Sequence, residues 1–136
     1  MKVKNTISFL VLLSVVFLLI SSCSKEPGPG GTSSVSGKVY VKNYNASFTT
    51  LLGEYYAQEQ RVYLIYGEND THSDDVRTNY DGTFRFDNLR KGNYQVYVYS
   101  KDSTQTIASG YEPVIKTFEI TANNQHIVLE DIIILD

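Results

Sequence analysis

The chain contains one cysteine, Cys23, directly behind Ile20-Ser21-Ser22. With a single thiol no intramolecular disulfide can form, so the sulfur is free for other chemistry. A cysteine preceded by two small residues suits covalent modification, because small neighbours let an enzyme reach the backbone there. A second candidate is the stretch Glu68-Asn69-Asp70-Thr71-His72-Ser73-Asp74-Asp75, with four carboxylates in eight residues. Oxygen ligands at that density could hold calcium, although the ordered spacing of a helix-loop-helix calcium loop is absent. Glu68, Asp70, Asp74 and Asp75 are the candidate ligands. The chain has two histidines, His72 and His126. It shows no nucleophile elbow, phosphate loop or zinc signature, so no catalytic residue is assigned and the chain is expected not to be an enzyme. A third group is aromatic: 11 tyrosines and no tryptophan. Among these, Tyr40, Tyr63, Tyr97 and Tyr99 form a candidate binding surface, and Tyr55 and Tyr56 add to it from a neighbouring connection.

Cys23 gains meaning from what precedes it. Met1 to Lys4 carries two positive charges, and Ile7 to Ile20 is apolar apart from Ser8 and Ser14. This is the anatomy of a secretory leader. A helix of about 14 residues would rise about 21 Å, short of the roughly 30 Å hydrocarbon core, so a membrane span is the poorer reading. Ile20-Ser21-Ser22-Cys23 resembles the lipobox of bacterial lipoproteins. That resemblance implies a signal peptide over residues 1–22, diacylation (palmitate-type lipid) of Cys23, and membrane anchoring by two or three acyl chains. No cofactor is expected beyond that covalent lipid. No aspartate follows Cys23 to signal inner-membrane retention, so the outer membrane is the expected location, with the leaflet open. Residues 24 to 34, rich in proline, glycine and serine, read as a flexible tether spanning about 17–20 Å, so residues 23–34 form a lipidated linker.

The elements that must position these residues follow from composition and period. Charged residues are 20% and hydrophobic ones 42%, ordinary values that exclude global disorder. Lys2 and Lys4 fall in the leader, leaving ten of 12 basic residues against 15 acidic ones. That acidic balance excludes nucleic acid as a partner. From Val35 onward apolar residues alternate with polar ones, as in Val35-Gly37-Val39-Val41, Val62-Leu64-Tyr66, Phe84-Phe86, Tyr94-Val96-Val98 and Val114-Phe118-Ile120. With a short strand near Val76 to Asn79 and a last strand over residues 127–135, the count is seven. Turn residues separate them: Gly67 to Asp75, Tyr80-Asp81-Gly82, Arg90 to Asn93 and Asn123-Asn124. Seven short strands in about 100 residues make an all-β, antiparallel Greek-key β-sandwich over residues 35–136.

Residues 79–96 sharpen that expectation. The fixed positions Asp81, Gly82, Phe84, Phe86, Leu89, Gly92, Tyr94 and Val96 follow the pattern DG-x-F-x-F-x-x-L-x-x-G-x-Y-x-V. This pattern resembles the carboxypeptidase regulatory-like and Cna-B-like domains, transthyretin-like members of the prealbumin-type sandwiches. The resemblance implies fold and leaves function open, since such domains serve as spacers, stalks and interaction modules. It also raises an internal isopeptide bond, for which Lys38 or Lys42 would need Asp131 as partner and Glu112 or Glu119 as acid. The related hydroxyisourate hydrolase activity is excluded, because it needs several histidines and a C-terminal Tyr-Arg-Gly-Ser, where this chain ends Ile134-Leu135-Asp136. The chain departs from the family in the longer connection of residues 43–60, which either caps the sandwich and extends its strands or binds a partner. Asp102-Ser103-Thr104 resembles a short O-glycosylation acceptor, with Ser103 as the modified residue. Together these features predict a membrane-anchored, non-enzymatic interaction or accessory module of the cell envelope, with a protein or glycan partner. The alternative is a surface protein that binds glycan or calcium in its own right.

Overall fold

The computed structural model describes residues 26–136, which form two facing sheets. Nine strands run in order β1 (Pro29–Tyr44), β2 (Leu51–Tyr56), β3 (Arg61–Tyr66), β4 (Asp74–Arg77), β5 (Thr83–Leu89), β6 (Gly92–Lys101), β7 (Tyr111–Ile120), β8 (His126–Val128) and β9 (Ile132–Leu135). β1, β2, β5, β8 and β9 make one sheet, and the other runs β4-β3-β6-β7. The β-sandwich expected from the alternation is therefore present. Val35, Val39 and Val41 of β1 face Val62 and Leu64 of β3 and Tyr94, Val96 and Val98 of β6, with Phe84, Phe86, Leu89, Ile120 and Ile132 completing the core.

Three expectations are corrected. First, there are nine strands among the described residues, against seven expected. β2 was missed because its residues alternate with no buried side: LLGEYY is exposed along nearly all its length. The stretch 127–135 is two strands, since Leu129, Glu130 and Asp131 carry the chain from one half of β1 to the other. The extended connection thus lengthens the sheet with a hairpin, Tyr40 opposite Tyr56 and Lys42 opposite Glu54. Second, the sandwich is not purely antiparallel. β8 and β9 both pair with β1 in parallel, Val35 opposite Ile127 and Val41 opposite Ile134. They arrive from the other sheet after β7, and the direction of that crossing sets their sense.

Third, the predicted tether is in large part structural. β1 starts at Pro29, six residues before the expected boundary. Gly28 is buried: its N–H donates to Tyr94 Oη at 2.9 Å and its carbonyl accepts from Arg90 N–H at 2.9 Å. Arg90 Nε donates to the Pro29 carbonyl at 2.6 Å. Ser33 Oγ donates to the Ala122 carbonyl and accepts from Gln125 N–H. The small residues are there because the chain passes hard against its neighbour, not because it is loose. A Cβ at Gly31 would lie 1.9 Å from the Leu89 carbonyl oxygen. Cys23 and residues 1–22 lie outside the described residues.

The motif at residues 81–96 behaves as its residues require. Gly82 takes φ +79° in the turn, its N–H donating to the Asn79 carbonyl at 3.0 Å. Phe84, Phe86, Leu89, Tyr94 and Val96 are all buried.

Candidate functional site

The outer face of the four-stranded sheet is built by parity. Val62 and Leu64 point into the core, so Tyr63 points out; Val96 and Val98 point in, so Tyr97 and Tyr99 point out. Register places Tyr63 opposite Tyr97, and Tyr97 opposite Ile115 on β7. The Tyr63 and Tyr97 rings stack at 4.8 Å between centroids, 14° from parallel. Tyr99 stands edge-on to both, at 5.7 Å from Tyr63 and 5.5 Å from Tyr97. His72 caps the Tyr63 ring at 5.0 Å. Burial pushes the Tyr97 phenol up to about 12, helped by its neighbours Tyr99 and Tyr63. Tyr97 is the covered member of the group, whereas Tyr99 and Ile115 are 45% and 47% exposed. Four tyrosines were expected to share this face, and three do. Tyr40 lies on β1 in the other sheet, where its ring meets Tyr56 at 5.1 Å. Lys38 sits 4.7 Å over the Tyr56 ring, and the Tyr56 hydroxyl donates to Asp131 Oδ2 at 3.0 Å. Outward parity is common to both sheets, so it could not tell the two groups apart.

Tyr99 also borders a cleft of about 290 Å³ at the end of the sandwich where β1 finishes, lined by residues of both sheets. Tyr55 of β2 and Asp136 close one side, Tyr99, Lys101 and Tyr111 the other, and Gln58 and Gln60 come from the β2–β3 connection. Lys101 Nζ lies 2.7 Å from Asp136 Oδ1, and that bond holds the lysine above its ordinary pKa. Leu135 N–H donates to the buried Ser100 Oγ at 2.9 Å, fastening β9 to β6. Tyr111, Gln58, Gln60, Lys101 and Asp136 were not anticipated. The exposed alternation Tyr111-Pro113-Ile115 could have placed Tyr111 on the aromatic face; nothing in the sequence joins the other four.

The remaining candidates are scattered. Asp75 pairs with Arg61 at 3.3 Å, and Asp74 Oδ1 accepts from the Asp75 N–H. Among the described residues no three His, Cys, Asp or Glu side chains gather as a metal site. Glu68 and Asp70 are exposed in the β3–β4 connection. The isopeptide arrangement is contradicted: Lys38 pairs with Asp81 at 3.4 Å, Lys42 with Glu54 at 3.8 Å, and Asp131 receives Tyr56. Lys38, Lys42 and Asp131 are half-buried, while Glu112 and Glu119 sit on β7 in the other sheet. His126 lies between two hydroxyls, Nδ1 at 2.7 Å from Ser34 Oγ and Nε2 at 3.2 Å from Ser36 Oγ. Among the described residues no carboxylate orients the ring, and Arg85 donates to the same Ser34 oxygen. Ser103 is exposed beside the buried Asp102.

No protein-family description matches the chain, and no curated protein matches it either. Among solved structures it is similar to a Pseudomonas aeruginosa protein described as a "putative carbohydrate binding protein". The two share 16% identity over 76% of this chain and 90% of the other, with a TM-score of 0.44.

Proposed function

We propose that this chain is a non-catalytic binding module of the cell envelope, anchored by lipid on Cys23 and built on a carboxypeptidase regulatory-like, Cna-B-like sandwich. The observation that carries the binding role is the aromatic face of Tyr63, Tyr97 and Tyr99. Tyr63 and Tyr97 stack on the strands, and Tyr99 and Ile115 stand 45% and 47% exposed beside them; exposed aromatic surface of this kind suits burial against a partner. The lipid anchor rests on the lipobox-like Ile20-Ser21-Ser22-Cys23 and places the module at a membrane, the outer membrane in a Gram-negative cell. The partner is an envelope protein or glycan, and the module presents or positions it without transforming it.

Two measurements test this reading. Cys23→Ala should lose palmitate labelling and leave the membrane fraction; a variant still labelled and still sedimenting with membranes would remove the anchor. Affinity purification from native membranes should recover an envelope component with the wild-type protein and lose most of it with Tyr63→Ala/Tyr99→Ala. Equal recovery by both proteins would show that the aromatic face is not the site.

A further inference from the structure

We infer that the cleft between Tyr55, Tyr99 and Tyr111 binds a neutral glycan chain, and that the chain runs on from there over the Tyr63–Tyr97 stack. This rests on the binding-module reading and names its ligand class.

The shape comes first. At about 290 Å³ the cleft stands at the lower end of small-ligand sites, which span about 300–1,000 Å³, so it suits one or two sugar rings rather than a folded partner. Its chemistry is mixed in the way sugars are mixed. A pyranose has C–H faces that stack on aromatic rings and a rim of hydroxyls that need both donors and acceptors. Tyr55, Tyr99 and Tyr111 line the cleft and are 47%, 45% and 51% exposed. The Gln58 and Gln60 amides each carry donors and an acceptor. Among the described residues, no side-chain hydrogen bond ties down Gln58, Tyr55 or Tyr111, so these groups are free for a ligand.

Charge selects within the sugars. The charged side chains of the cleft, Lys101 and Asp136, pair with each other at 2.7 Å. Neither of these side chains is left unpaired for a charged sugar to meet. A lipid chain would strand the amides and the ion pair against hydrocarbon.

Continuity selects a chain over a single sugar. Tyr99 lines the cleft and is also edge-on to Tyr63 and Tyr97, so the rings form one row from the cleft onto the open face. The walls are preorganised: Ser100 holds β9 through Leu135, and Asp136 N–H donates to the Lys42 carbonyl at 3.2 Å. Little ordering is left for binding to impose.

The test is calorimetry on the mature acylated protein in phospholipid nanodiscs, titrated with maltohexaose, cellohexaose, mannohexaose, xylohexaose and chitohexaose. At least one should give saturable heat, insensitive to added salt. Tyr111→Ala and Gln58→Ala should each weaken it about tenfold or more, the loss of one good contact in a small site. Tyr80→Ala, an 82% exposed ring away from the cleft, should bind as wild type. Gln58 is exposed and outside the strands, so its variant keeps the fold if Tyr111→Ala does not. Flat heat with all five sugars overturns the ligand class. Binding that survives Tyr111→Ala and Gln58→Ala but fails in Tyr63→Ala/Tyr99→Ala overturns the cleft and leaves the open face as the site. Flat sugar titrations beside an envelope protein recovered through Tyr63 and Tyr99 overturn the glycan and leave the module reading standing.

Discussion

Asp102 shows how much one carboxylate can hold. It is buried at the end of β6, and its oxygens accept from Thr104 N–H at 2.8 Å, Thr106 N–H at 2.7 Å and Ile107 N–H at 2.8 Å, besides the Thr104 hydroxyl. Its own N–H donates to the Gly110 carbonyl at 2.9 Å, so the connection from β6 to β7 is organised around it. The Thr104 hydroxyl first, then the Ile107 amide, hold this carboxyl well below the usual carboxylate range. The folded state therefore prefers the ionised form more than the unfolded state does. The resulting stability is present above the unfolded pKa, near 3.8, and is lost as pH falls from there toward the folded value. Asp102→Asn keeps the shape but replaces one acceptor oxygen with a donor. It should lower the melting temperature by several degrees at about pH 7, and by clearly less at about pH 2. Calorimetry across that range checks it; a gap that does not change with pH would mean that the charge is irrelevant. The same connection carries Tyr111 into the cleft, so the turn matters to the site as well as to the fold.

Among the strands, β1 organises the most. Its Val39 uses both backbone groups on one edge, N–H to the Gly82 carbonyl at 3.0 Å and carbonyl to the Ala57 N–H at 2.9 Å. β5 and β2 therefore lie end to end along that edge. The alternate residues Ser34, Ser36, Lys42 and Tyr44 bond on the other edge, where β8 and β9 also lie end to end. Gly82 stands at the junction of β5 and β2. A Cβ there would come 2.8 Å from Tyr56 Cβ and 2.9 Å from the Val39 oxygen, on a backbone already at φ +79°. Gly82→Ala should cost about 1–3 kcal/mol in urea unfolding. Gly53→Ala, whose added Cβ meets nothing within 4 Å, should be close to neutral. Equal stability of the two variants would show that the junction is not strained. At this scale the sequence was legible where strands alternate, and illegible where they do not. Val35 to Val41 announced itself, whereas Leu51 to Tyr56 exists only because β1 offers it a ladder.

Over the whole molecule, the strand register fixes which end carries what. Gly28, Arg90 and Gly92 lie at the end where β1 begins, and Tyr55, Lys101, Tyr111 and Asp136 lie at the other. The ten residues of β6 connect the two, a length of about 33 Å. Three residues along from Cys23, at most about 10 Å of chain, the polypeptide is already held at Glu26 to Pro29. With the anchor acylated, the Arg90–Lys91 end should face the lipid headgroups and the cleft should face away. Acylation leaves an introduced cysteine as the free thiol, so a fluorophore on Lys91→Cys or Ser103→Cys reports each end separately. In nanodiscs with headgroup-linked quenchers the first should be quenched strongly and the second weakly. Equal quenching would mean that the domain tumbles on its leash.

The amino-acid sequence by itself determined which side chains are inward, where the chain turns, and that its one cysteine follows two small residues. These are local properties: alternation of period two, glycine at positive φ, and small residues before a thiol. Only the tertiary structure decided which sheet each strand joins. That choice separated Tyr40 from Tyr63, Tyr97 and Tyr99, and it turned a glycine-rich stretch into the first half of β1. It also brought Tyr55, Tyr99, Tyr111 and Asp136 to one cleft from four strands' ends. The physical reason is that alternation records the burial of one strand, whereas a site between sheets depends on backbone hydrogen bonds among segments far apart in the chain.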